Sequence, residues 1–236
     1  MQGGTSTATR AYIGGISLSA LLAAALLWRT DPAAAGLGTF VVVTVLGALA
    51  HAYPIRGYRH QAYQVTLPFI AIAAAAFSAP QLIAFILLIH LAEQARLRRP
   101  VSIQWFNACD YLISAAIAAV LYHRAALLLP DGALGQLIGA LAAGCTFILV
   151  NRVLLAGVLW VARGLSPLTS GLFQPELLAA DLVIAWVAGP MMIVALDAGP
   201  WTMLITAGPL LLARAALASL VAHRQPAVQR THAKAA

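Results

Sequence analysis

Residues 36–59 read GLGTFVVVTVLGALA followed by HAYPIRGYR: an apolar stretch from Gly36 to Ala50 without a charge, then a short loop holding Arg56 and Arg59. Working outward, the same alternation recurs. Leu18 to Trp28 and Ala180 to Leu196 are similar apolar runs, and the connections between runs are short. Of the residues, 62% are hydrophobic and 9% are charged. Soluble domains carry about 25% charged residues, so this chain could not cover a water-facing surface and reads as dissolved in lipid.

Eight apolar segments are expected, near Ala11–Trp28, Ala33–Ala50, Gln61–Ser78, Gln81–Glu93, Asn107–His123, Gly135–Val161, Leu177–Leu196 and Trp201–Val221. The reading is an all-α polytopic transmembrane bundle with six to eight full spans. The range arises because Gln81–Glu93 looks short and is joined to its predecessor by Ala79-Pro80 alone, as in a hairpin that does not cross. Residues 1–10 form an N-terminal segment, 11–221 the helical domain and 222–236 a basic tail. The first run reads as a retained helix, because Trp28-Arg29-Thr30-Asp31-Pro32 is no small-residue cleavage site.

Charge orients the bundle. With the N-terminus inside, Arg10, Arg56, Arg59, Arg96, Arg98, Arg99, Arg163, Arg224, Arg230 and Lys234 all fall on the inner side. Arg29 and Arg124 fall outside, while Arg152 and Arg214 lie within spans. The positive-inside rule therefore places both termini in the cytoplasm, in a bacterial inner membrane. The net charge of +7 is distributed over segment ends rather than one patch, which speaks for lipid and against nucleic acid as a partner. Trp28, Trp105, Trp160 and Trp201 stand near span ends, where interfacial tryptophans belong.

Small residues mark close approaches. Gly135, Gly139 and Ala143 form a stripe at four-residue spacing, suited to internal packing or, alternatively, to a homodimer. Ala-Gly-Pro occurs at 188–190, 198–200 and 207–209: the middle copy makes a turn, and the outer copies put a proline inside a helix.

Ionisable groups at membrane depth are costly and call for partners. Asp110, Asn151, Arg152 and Asp181 lie in the half of the bundle nearest the basic loops, and a buried polar cluster is expected among them, with Arg152 paired to an acid. His90 and Glu93 share a helix face at i and i+3, followed by Arg96, Arg98 and Arg99. These five read as contacts to the polar surface and anionic headgroups. A metal is not expected there, since no second ligand pair accompanies His90 and Glu93, and His51 and His60 lie nearby without motif spacing. Cys109 and Cys145 are isolated, which argues against a disulfide or zinc framework. No phosphate loop, nucleophile elbow or zinc-protease motif is present, so neither catalytic residues nor a cofactor are expected.

One resemblance adds to this. Ala52-Tyr53-Pro54-Ile55-Arg56, Tyr63-Gln64-Val65-Thr66-Leu67-Pro68-Phe69-Ile70, Pro80, Leu91-Ala92-Glu93, Arg98-Arg99-Pro100 and Phe106-Asn107-Ala108 resemble the N-terminal multi-helix membrane-sensor regions of bacterial GGDEF and HD-GYP (cyclic-di-GMP) signalling proteins. The pattern covers about residues 50 to 120. Residues 210–236 also look like the stretch leading into an output domain, but none follows in this sequence. The resemblance implies a sensor or scaffold without cyclase or phosphodiesterase activity of its own, acting on a cytoplasmic signalling partner. The alternative is a small transporter or substrate-binding component that uses the polar site and has a transport partner.

The orientation is open to direct measurement. Alkaline phosphatase fused after Ala236 should be inactive, and the same reporter placed in the Arg124–Leu134 loop should be active. The reverse pattern overturns the assignment.

Overall fold

In hydrocarbon a backbone amide can pair only within the protein, so apolar runs of this length close their hydrogen bonds as helices. A computed structural model describes residues 6–29, 34–56, 62–63, 65–128 and 132–208. Among these, the helices are α1 (Thr7–Arg29), α2 (Leu37–Ala52), α3 (Leu67–Ala76), α4 (Ala79–Leu97), α5 (Val101–Ala126), α6 (Ala133–Arg163) and α7 (Pro175–Asp197). A 3-10 turn, Pro200–Thr202, leads into helical residues 203–208. Two short strands, β1 (Ile55–Arg56) and β2 (Ala62–Tyr63), pair antiparallel between α2 and α3. The expected segment near Trp201–Val221 lies mostly outside the described residues, as do Arg59, His60, Arg214 and the whole tail 222–236.

Four helices, α1, α5, α6 and α7, are long and apolar enough to cross a membrane, which marks the chain as a membrane protein. Their outer faces agree with that solvent. Leu18, Leu22 and Leu26 on α1, Val41, Val45 and Leu49 on α2, and Leu149 and Val153 on α6 are exposed at helical spacing. An exposed stripe of this kind suits acyl chains and not water.

The contacts set the directions. α5 and α6 run antiparallel, since Tyr122 sits on Gly139 at one end and Asp110 meets Asn151 towards the other. α6 and α7 do likewise, through Leu137 on Gly189 and Arg152 at Asp181. α2 and α4 are parallel. Gln81 in the first turn of α4 exchanges two hydrogen bonds with Ala35 just before α2 (2.9 and 2.8 Å), while His51 and His90 meet near the far ends. One end of the bundle therefore gathers the end of α2, the α4–α5 connection, the end of α6 and the start of α7.

α3 departs from expectation. The third segment was expected over Gln61–Ser78, with the fourth the short one. Instead α3 has 10 residues, a rise of about 15 Å, and α4 has 19, about 28 Å. Residues 62–63 go to the strand pair, and Pro68 sits in the first turn of α3, where its missing N–H costs nothing. At the other end Phe77 and Ser78 are extended before Pro80, and Ser78 caps α4 with its N–H on Gln81 Oε1 at 3.2 Å. α4 runs on beyond Glu93 to Leu97, where Arg98 caps it in the left-handed conformation. α3 is apolar all round, and every residue from Leu67 to Ala75 is buried, so it forms the axis against which α2, α5, α6 and α7 pack.

Small residues permit that packing. The Gly135–Gly139–Ala143 stripe is buried within the chain, with Tyr122 seated on Gly139, so this face is used internally and is not open for a second copy. Gly189, next to the in-helix Pro190, is where α6 and α7 come closest: a Cβ there would lie 2.2 Å from Leu137 Cδ1 and 3.3 Å from its Cα. Gly199 takes a φ of +89° in the turn after α7, a conformation that suits glycine. Pro209 of the last Ala-Gly-Pro lies outside the described residues.

Gly189→Val should therefore lower the stability of the purified chain by about 1–3 kcal/mol in a detergent unfolding titration. Gly14→Ala, where nothing stands within 4 Å of the new Cβ, should be close to neutral. Equal effects would show that the α6–α7 approach is not tight.

Candidate functional site

Asn151 and Arg152 are neighbours on α6, so their side chains diverge by about 100° around the helix. They consequently serve different helices. Asn151 donates to Asp110 Oδ2 on α5 at 3.0 Å, and Ser114 donates to Asp110 Oδ1 at 3.2 Å. Arg152 forms an ion pair with Asp181 on α7. All four expected residues are buried, and the contacts Asn151–Asp110 and Arg152–Asp181 lie side by side along α6. The first joins α5 to α6, and the second joins α6 to α7.

A richer site lies at the end of the bundle that holds the α4–α5 connection. His90 and Glu93 were expected at the headgroup surface. They are 3% and 4% exposed, because their shared face turns inward against α2 and α5. Here α2 delivers His51 from its last turn. His51 Nε2 stands 3.3 Å from His90 Nδ1 and 3.4 Å from Glu93 Oε2, and His90 Nδ1 stands 3.7 Å from the same carboxylate oxygen. Gln104, in the first turn of α5, places Nε2 3.1 Å from Glu93 Oε2, 3.2 Å from His90 Nδ1 and 2.8 Å from the His90 carbonyl. On the far side of His51, Nδ1 lies 3.3 Å from Thr66 Oγ1, just before α3.

The arginines divide their tasks. Arg99 Nη2 binds Glu93 Oε1 at 2.9 Å, leaving Oε2 for the histidines. Arg96 lies over the Tyr53 ring at 3.8 Å and donates to the Ala52 carbonyl, closing the C-terminal end of α2. Arg98 is exposed at the left-handed cap of α4, with φ +46° and its N–H on the Gln94 carbonyl, and Arg96 is exposed too. Two rings roof the site: Tyr111 meets His90 edge-on at 4.8 Å and His51 at 5.2 Å, and packs against Phe147 at 5.1 Å.

The expectation that His90 and Glu93 have no further ligand-type partner thus fails. His51 was within reach of the reading only as a nearby histidine. It lies 39 residues before His90 in sequence, and only the parallel packing of α2 and α4 brings it in. Gln104 carried no signal as a lone amide. Glu93, in turn, is a buried anion that carries the convergence of Arg99, Gln104 and the two histidines. In a low-dielectric interior such a charge is tolerated only with donors around it. The chain matches no family model, no curated protein and no solved structure.

The ion pair on α6 makes the sharper mutational statement. Arg152→Ala should leave Asp181 as a buried charge and destabilise the bundle by about 3–5 kcal/mol, whereas Arg152→Leu combined with Asp181→Leu should recover most of that loss. The measurement is a double-mutant cycle of unfolding in detergent. An additive cycle would mean that the two side chains do not interact.

Proposed function

We propose that this chain is a non-enzymatic sensor or scaffold module of bacterial signalling, with both termini in the cytoplasm of an inner-membrane bundle of six to eight spans. The carrying observation is the buried junction of His51, His90, Glu93 and Gln104, in which polar side chains of three helices meet beside the start of α3. A junction held by titratable and ligand-type groups has packing that depends on what those groups bind. That is the requirement for a receiving element in a two-state bundle. The junction also lies beside the most basic connection, Arg96 to Arg99, the side assigned to the cytoplasm by charge. The resemblance to the membrane regions of cyclic-di-GMP signalling proteins covers this same stretch, which makes cyclic-di-GMP the readout of choice.

The buried arginine and aspartates that would favour a transporter tie neighbouring helices together, Arg152 with Asp181 and Asp110 with Asn151. This supports the sensor reading over the transport one.

Cellular cyclic-di-GMP should differ between a strain lacking the chain and one expressing it. Deleting Gln225 to Ala236 should reproduce the null level while leaving the membrane-inserted amount unchanged. The purified chain should neither make nor degrade the dinucleotide. An unchanged level in the null strain, or turnover by the purified chain, overturns the proposal, and an altered solute flux with unchanged cyclic-di-GMP would establish the transport reading in its place.

A further inference from the structure

We propose that His51 Nε2, His90 Nδ1 and Glu93 Oε2 form a binding site for a divalent transition-metal ion of the zinc class, at the junction of α2 and α4. The inference deepens the sensor reading by naming what the junction would bind, yet it stands on its own geometry.

The spacing of the three atoms is the first ground. Zinc takes nitrogen and carboxylate ligands at about 2.0–2.2 Å in tetrahedral array, which puts ligand atoms about 3.3–3.6 Å apart. The three edges here are 3.3, 3.4 and 3.7 Å. Hydrogen bonds favour about 2.9–3.0 Å between nitrogen and oxygen, so these contacts are long for bonds drawn edge to edge. The atoms surround a common point more than they pair with one another. One triangular face of a tetrahedron is in place.

The groups around His51 and Glu93 supply the second ground, because metal-binding histidines and carboxylates are held by partners of their own; His90 Nε2 is buried without one among the described residues. His51 Nδ1 faces Thr66 Oγ1 at 3.3 Å. Donation from Nδ1 to that hydroxyl selects the tautomer whose Nε2 lone pair points into the triangle. Arg99 holds Glu93 Oε1 at 2.9 Å, which leaves Oε2 as a single, directed ligand atom. Its charge is muted because its side chain is 37% exposed and solvent screens it. Tyr111 and Phe147 close the inner side with rings, so the route for an ion runs from the basic end.

Gln104 supplies the fourth position. Its amide already lies 3.1 and 3.2 Å from two of the three ligand atoms, and its Oε1 is buried without a hydrogen-bond partner among the described residues. Presenting that oxygen to the ion requires the amide to turn over and swing off the His90 carbonyl, to which Nε2 donates at 2.8 Å. The two imidazoles, neutral and bonded to the ion, and one carboxylate leave a bound divalent cation with a single excess positive charge. Any proton shared between His51 and His90 leaves for solvent when the ion enters.

The test uses the full chain, purified in detergent, stripped with a chelator and titrated with Zn2+ against a chromophoric competitor. One equivalent should bind, and Co2+ in its place should show the strong visible bands of four-coordinate geometry. His51→Gln and Glu93→Gln should weaken Zn2+ binding by more than about tenfold, and Thr66→Ala by about tenfold. His123→Ala, at the opposite end of α5, should bind as the parent does. Helical content and elution volume of each variant are checked first, and Thr66→Ala, which keeps all the ligands, serves if a ligand variant does not fold. Failure of the parent chain to bind one equivalent, or binding unaffected by both His51→Gln and Glu93→Gln, overturns the inference. Zn2+ binding without any cyclic-di-GMP difference in the null strain would defeat the signalling reading alone. A cyclic-di-GMP difference without Zn2+ binding would defeat the metal site alone.

Discussion

Glu93 is a carboxylate 4% exposed, buried near one end of a bundle whose outer surface is rich in leucine, valine and tryptophan. Taken out of water, it would cost several kcal/mol if left alone. Arg99 on one oxygen, and Gln104 with two histidines around the other, are what make its burial tolerable. Those partners come from α2, α4, the α4–α5 connection and α5. Satisfying one anion therefore fixes where α2 ends against α4, and how the α4–α5 connection folds back over them. Much of the geometry at that end of the molecule follows from this single requirement.

The remaining polar pairs obey the same logic deeper in the bundle. Asp110 accepts hydrogen bonds from the Asn151 amide and the Ser114 hydroxyl, Asp181 is paired with the Arg152 guanidinium, and Asn151 and Arg152 are consecutive residues of α6. α6 thereby becomes the helix to which α5 and α7 are keyed. Apolar packing through Gly139, Gly144 and Gly189 brings the backbones close, and the polar pairs select the rotation at which they meet. Close packing alone tolerates sliding by a turn, whereas a buried ion pair does not.

How much of this could be read from residues differs by region. The long helices were legible because apolar runs without charge leave lipid-facing helix as the only economical structure. The Arg152–Asp181 pairing was legible because an arginine at that depth must find an acid, and few were offered. α3 was misjudged in length, because an apolar run ahead of Pro68 carries no periodicity that separates a strand pair from a helix. His90 and Glu93 were placed at the surface because three arginines follow them, and neighbouring charge is a poor guide to which way a helix face turns. His51 and Gln104 could not be assigned at all, since their meaning arises from the packing of α2, α4 and α5 and from nothing local.

The ten residues of α3 carry a consequence for how the protein is made. A helix that short cannot partition into a bilayer as an independent span, for which about 17–25 residues are needed. Its extended neighbours Phe77 and Ser78 would meet hydrocarbon with polar backbone groups if they entered alone. The segment must therefore enter together with α2 and α4, since the Gln81–Ala35 bonds latch the first turn of α4 to the residue just before α2. During synthesis this makes the stretch from α2 to α4 a single unit of membrane insertion, in which the outer helices shelter the one that could never cross by itself.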